Sequence, residues 1–417
     1  MFPFVDVLPL ILGAFLQAFL DPQFWPLFLL VAALIALQYR RMERIKESFF
    51  NLKTGRAWAG VFIAVGFGLL GGLAGSYLMV FVGLTLSGPS LIYLWPVAIL
   101  LMLLNMRFLC FAYSGGVLSL SSLLLGFPQV SVPQIMALVA VLHMVESLLI
   151  LVSGHLGATP AFIKGAGGRV IGGFTLQKFW PIPLVVLAVA GTGFYQGGVE
   201  MPQWWPLIKP DVPVDTRDLA YALMPVIAGL GYGDVAIARS PAEKSRLSAF
   251  NLSLYGIILL FMAVLAGQNR VAALAAAFFS PLGHEAVIFI SRRSEFGGRP
   301  LYVPPGRGVR VLDVLPDGAA WRAGIRSGDI IFSVDGVDLA DKNEFFQWQQ
   351  SVFLPLKVDY FSRAAGENRR KLLVPPGPGK QWGVLPVPEG NENKYVELLT
   401  TGPLGRLLGK YWRKFKS

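Results

Sequence analysis

Over the first 293 residues, apolar blocks alternate with short polar segments; beyond residue 299 the pattern becomes strand-like. A spanning helix needs about 20 mostly apolar residues. Blocks near 22–39, 58–83, 90–106, 108–127, 133–153, 180–197, 218–233, 249–267 and 271–290 approach that length. They predict a multi-pass α-helical membrane domain over 1–293, with about eight to ten membrane segments. Residues 3–20 are apolar but end at the turn signal Asp21-Pro22, and read as a re-entrant or interfacial helix or a further span.

Composition strengthens this picture. Of 417 residues, 54% are hydrophobic and only 15% charged, where a soluble domain carries about a quarter charged. Lipid is therefore the expected main solvent. No Lys or Arg precedes Arg40, so the start lacks the basic region of a cleaved signal peptide and is expected to be retained. The one cysteine, Cys110, excludes an intramolecular disulfide and a Cys-based zinc cluster. Set in an apolar run, it reads as a small buried hydrophobe.

The net charge of +11 is unevenly spread. Arg40, Arg41, Arg44, Lys46, Lys53 and Arg56 crowd one short segment, which the positive-inside rule places in the cytoplasm. Alternation then puts Lys164, Arg169 and Lys178 inside, followed by Arg239, Lys244 and Arg246. Arg292 and Arg293 close the last span on the same side. The C-terminal part is thereby predicted to lie in the cytoplasm.

In that part, Val309, Val311 and Val314 alternate as a strand, Pro316-Asp317-Gly318 turns, and Ala319–Ile325 is a short helix. Ile330–Val334 is a second strand before the Asp335-Gly336 hairpin turn, and 343–353 has helical spacing. The run LDVLPDGAAWRAGIRSGDIIFSVDG resembles a bacterial PDZ domain, a small α/β module with a partly open β-barrel and two helices, here over 299–376. The resemblance implies a peptide groove between a strand and the longer helix, worked by β-augmentation. Tyr302, Arg307, Gly308, Val309, Val311, Phe345 and Phe346 are the groove candidates, with one of the two phenylalanines expected in the core instead. The loop that holds a ligand carboxylate would correspond to 301–308.

The segment LGHEAVIF bears on catalysis. Membrane-embedded zinc proteases need His-Glu-x-x-His, two imidazoles on one helix face with the Glu as base. Ile288 stands where the second His belongs, and pairing His284 with His143 would need a third ligand such as Glu146. No metal, no cofactor and no catalytic residue is therefore expected, and no soluble domain is available for a serine protease. Arg107, His143, Glu146, His284 and Glu285 remain as ionisable groups at membrane depth, where an unpaired charge costs several kcal/mol. They read as interhelical hydrogen bonds that fix packing, aided by Gly66, Gly68, Gly71 and Gly72; the other reading is a proton or ion pathway.

Further segments widen the resemblance: 19–50 (FLDPQFWPLFLLVAALIALQYRRMERIKESFF), ESLLILVSG (146–154), KFWPIPL (178–184) and QWWPLI (203–208). With a terminal PDZ they are similar to the MinJ-type division-site topology proteins of Gram-positive rods. That resemblance implies a non-enzymatic scaffold in the cell membrane, enriched at septum and poles. It would bridge a DivIVA-like polar protein and a MinD-like ATPase, so restricting septum placement. The alternative is a PDZ-bearing membrane protease or processing factor. Past the Pro/Gly linker, 377–417 forms a basic amphipathic tail. In it Arg406, Lys410, Trp412, Arg413, Lys414 and Lys416 suit an anionic inner leaflet. No nucleic-acid-binding fold is visible, and membrane topology accounts for the positive charge.

Overall fold

The computed structural model describes residues 3–50, 57–85, 90–165, 168–193, 198–210, 214–215, 218–352, 354–377 and 381–392. The membrane part opens with α1 (Pro3–Ala18), α2 (Phe24–Phe50) and α3 (Ala57–Val82). Then come α4 (Ser90–Leu104), α5 (Phe111–Leu125) and α6 (Val132–Ser153). Strands β1 (Thr159–Lys164), β2 (Val170–Thr192) and β3 (Leu219–Ala236) follow, before α7 (Pro241–Ala266) and α8 (Arg270–Phe296). Helices α2, α3, α6, α7 and α8 are long and apolar enough to span a membrane, while α1, α4 and α5 are shorter.

Two of the expected helical spans, 180–197 and 218–233, fall instead, over 180–192 and 219–233, on strands of one antiparallel hairpin, with Trp180 opposite Leu230 and Val186 opposite Met224. Local chemistry explains the correction. In the second run Pro225 would remove a helical hydrogen bond at about 3 kcal/mol, and in the first the β-branched Val185, Val186 and Val189 favour a strand. On the partner strand Gly229, Gly231 and Gly233 recur with a period of two. Hydropathy alone registers neither feature.

A strand edge facing lipid is costly because its backbone groups have no partner. Here α3 covers the free edge of β2. A Cβ added at Gly68 would overlap the Pro181 carbonyl oxygen, and one at Gly72 the Pro183 carbonyl oxygen. One turn on, Ser76 Oγ accepts the Val185 N–H at 2.7 Å and donates to Gly72 O. The repeats match physically: four helical residues advance about 6 Å and two strand residues about 6.6 Å. Of the small residues noted in the sequence, Gly68 and Gly72 thus seat a strand, while Gly71 faces Leu149 of α6 as a helix–helix contact.

Helices α4 and α5 are about 22 Å long each, short of the roughly 30 Å hydrocarbon core. They fold back on each other, with the Trp95 and Phe111 rings 5.0 Å apart and the Tyr93 and Phe127 rings 6.4 Å apart. Asn105 caps a single 3-10 turn, Met106–Leu109, that forms the tip. The folded-back helical pair and the β-hairpin each return the chain toward the end from which it set out.

The C-terminal module comprises β4 (Val309–Val314), α9 (Ala319–Arg322), β5 (Ile330–Val334), β6 (Val337–Asp338) and α10 (Lys342–Ser351). Strands β7 (Leu356–Ser362), β8 (Glu367–Leu373) and β9 (Val384–Pro386) complete it. The sheet order is β8-β7-β5-β4-β9. The module is seated on the membrane part: the Gly172 N–H donates to Tyr302 O at 2.9 Å, Val170 N–H to Gly390 O at 3.2 Å, and the Phe174 and Tyr302 rings lie 5.2 Å apart.

Candidate functional site: an interaction groove and a buried polar centre

The groove was expected on β4, but both edges of that strand are taken, by β5 and by β9. Val309 and Val311 are consequently core residues, as are Tyr302, packed on Phe174, and Phe345, packed on Trp382. Phe346 is part-exposed, and Arg307 pairs with Asp338 across an exposed turn. Gly308 has φ +79°, and a Cβ there would overlap Ile331 O, so its role is backbone geometry. The seven candidates do not share a groove.

The terminal strand of the sheet is β9, and α10 lies against it. At one end Lys342 Nζ meets Glu392 at 2.9 Å and Glu389 at 3.5 Å; at the other, Gln349 Oε1 accepts the Trp382 N–H at 3.1 Å. Leu315 N–H donates to Gly383 O and Val387 N–H to Arg310 O, so residues 383 and 387 face β4. The backbone groups of Val384, Pro386 and Pro388 therefore point away from β4, though all three residues are buried. Prolines there cannot donate to an added strand, a known way of blunting an edge. Relative to the expected loop at 301–308, the backbone preceding the outer strand is Trp382-Gly383, whose N–H at 382 is already engaged. Sequence reading missed β9 because it follows the Pro/Gly linker. The signal was the Trp-Gly-Val-Leu run at 382–385. Replacing Gln349 by Ala is expected to free that N–H and open this end of the groove. Faster amide exchange at 382–384 with unchanged exchange in β5 is the observable result.

The second constellation lies near the middle of α6 and α8, two of the helices long and apolar enough to span a membrane. Cys110, at the N-cap of α5, has its Sγ 3.2 Å from His143 Nε2 and 3.8 Å from His284 Nε2. The three ligand atoms all lie within 4.8 Å of one another. His143 Nδ1 is 2.6 Å from Val139 O. His284 Nδ1 is 3.2 Å from Tyr113 Oη, which donates to Glu285 Oε1 at 2.7 Å; Arg107 pairs with the same carboxylate oxygen at 3.2 Å. Tyr255 closes one side, its ring 5.2 Å from that of His143 and its hydroxyl donating to Ser280 O at 2.8 Å.

Four of the five intramembrane candidates, Arg107, His143, His284 and Glu285, are therefore gathered in one network. Glu146 lies one turn from His143 on α6, outside the three-atom cluster. The missing third partner of the two histidines is Cys110, not Glu146. Cys110 escaped sequence reading because it lies 33 residues from one histidine and 174 from the other. Arg406, Lys410, Trp412, Arg413, Lys414 and Lys416 lie outside the described residues.

The fold is a membrane domain of several long apolar helices followed by a PDZ module of antiparallel strands and helices. Residues 310–351 match the PDZ domain family model. The chain is also 24% identical over 357 residues to the cell division topological determinant MinJ of Bacillus subtilis (strain 168), covering 79% of this chain and 83% of that protein. This is a distant relationship that extends well beyond the PDZ.

Proposed function

We propose that this chain is a non-enzymatic membrane scaffold of the division machinery, presenting a cytoplasmic PDZ domain to protein partners. The observation that carries the reading is the likeness to a division determinant across both the membrane part and the PDZ. Orientation is supported by position. The base of β2 and the Arg169–Val170 segment touch the PDZ side, so the basic segments and the module share one face, which the positive-inside rule assigns to the cytoplasm. A MinD-like ATPase and a DivIVA-like polar protein are the proposed partners, with the terminal basic tail resting on anionic lipid. The network around Glu285 fits a non-catalytic role, since Tyr113 and Arg107 both hold that carboxylate.

A fluorescent fusion of the full chain in its host tests the reading. Enrichment at septa and poles is expected, together with misplaced septa when the gene is removed. Uniform membrane fluorescence with normal septum placement would overturn it. Glu285→Ala separates the alternatives, because a scaffold keeps its localisation and its effect on septa whereas a protease loses its activity.

A further inference from the structure

We propose that Cys110, His143 and His284 form an intramembrane site for a thiophilic d10 metal ion, Zn2+ or Cu+, that ties the tip of the α4–α5 hairpin to α6 and α8. The argument starts from a proton count. A carbonyl only accepts, so His143 must carry its proton on Nδ1, facing Val139 O at 2.6 Å. The Glu285 carboxylate, paired with Arg107, accepts the Tyr113 hydroxyl proton, so the Tyr113 oxygen accepts from His284 Nδ1. Both imidazoles thus turn unprotonated Nε2 lone pairs toward one sulfur. That sulfur has a single proton to offer and already accepts the Ala112 N–H at 3.4 Å. Two lone pairs and one thiol proton leave an acceptor unsatisfied in a part-buried site, a costly arrangement.

A metal ion removes the deficit. Cys110 releases its proton to bulk solvent and binds as thiolate, the two neutral imidazoles bind through Nε2, and no electron is transferred. Tetrahedral Zn–S and Zn–N bonds of about 2.3 and 2.05 Å imply S···N edges of about 3.5 Å. The observed 3.2 and 3.8 Å bracket that value. One thiolate with two imidazoles selects zinc or copper over calcium or magnesium, which require oxygen ligands. The outer partners also fit: each ligating ring donates its second nitrogen to a fixed acceptor, and in His284 the relay continues through Tyr113 to Glu285, as metal-bound histidines commonly do.

The test is metal analysis of the full chain, purified in detergent without chelators. About one equivalent of zinc or copper per chain is expected, and its identity decides between the two ions. After removal of the native ion, added Co2+ should give an intense near-ultraviolet sulfur-to-cobalt band. Cys110→Ser, in which the hydroxyl can still cap Ala112, should lose that band and at least about tenfold in affinity while eluting as a monodisperse species. Tyr113→Phe removes no ligand but breaks the hydrogen bond to His284 and with it the relay, and should weaken binding about 10- to 100-fold. Substoichiometric metal in the wild-type chain with no cobalt band would overturn the proposal. So would equal metal retention by a well-folded Cys110→Ser chain.

Discussion

Gly72→Ala is expected to lower the melting temperature of the detergent-solubilised chain sharply, whereas Gly66→Ala on the same helix leaves it unchanged or raises it. At Gly72 the new Cβ meets the Pro183 carbonyl, a backbone atom that cannot rotate away, with the Phe15 ring 3.3 Å distant. At Gly66 nothing lies within 4 Å. Overpacking of this kind costs about 1–3 kcal/mol, and an immovable neighbour puts Gly72 at the upper end. The solvated or lipid-facing position gains instead the roughly 1 kcal/mol that alanine holds over glycine in a helix. Gly68→Ala, against Pro181 O, should behave like Gly72. Because the hairpin must then lift from α3, cleavage within 198–217 by added protease should accelerate in both damaging variants. Identical melting of the Gly66 and Gly72 variants would show that β2 does not lie on α3.

Lys244→Met is expected to destabilise the chain by about 3–5 kcal/mol, the usual consequence of leaving a buried charge without its partner. Lys244 is fully buried at the start of α7. Its Nζ lies 2.5 Å from Ser291 Oγ, 3.3 Å from Asp234 Oδ2 and 3.9 Å from Glu295 Oε1. The two carboxylates would not suffer equally. Glu295 keeps Arg239 at 2.8 Å and the N–H groups of Ile237 and Ala238. Asp234 keeps only the hydroxyls of Ser248 and Ser291 and its local Val235 N–H. Adding Asp234→Asn should therefore recover much of the loss, while Glu295→Gln should not. A double-mutant cycle on melting temperature or denaturant midpoint measures the difference. Additive effects of Lys244→Met and Asp234→Asn would remove the pairing from the account.

This network joins the end of β3 to α7 and α8, which explains why it stayed hidden in the sequence. Lys244 and Arg239 were legible as basic residues on the inner side, but Asp234 and Glu295 lie 10 and 51 positions from Lys244, and nothing local pairs them. Cys110 presents the same difficulty at greater range. Its apolar surroundings made it look like filler, and only the fold-back of α4 and α5 carries its sulfur to the imidazoles of α6 and α8. The groove candidates scattered for a different reason. The strand pattern 309–314 was read correctly, but which strand is terminal depends on where the chain returns after the linker, and β9 returns to the edge that β4 was expected to expose.

By itself the sequence determined that lipid is the main solvent, where the five long apolar helices run, and that a PDZ module follows them. Each of these is a matter of periodicity, length or a contiguous motif, and so is written within about thirty residues. Tertiary structure decided that two apolar runs already marked by prolines and glycines pair as a β-hairpin against glycines of α3, that β9 forms the terminal edge of the PDZ sheet, and that one thiol meets two imidazoles midway along α6 and α8. Those outcomes depend on backbone groups and side chains finding partners across the fold. In a lipid environment each unpartnered polar group costs several kcal/mol, so packing completes what local preference only permits.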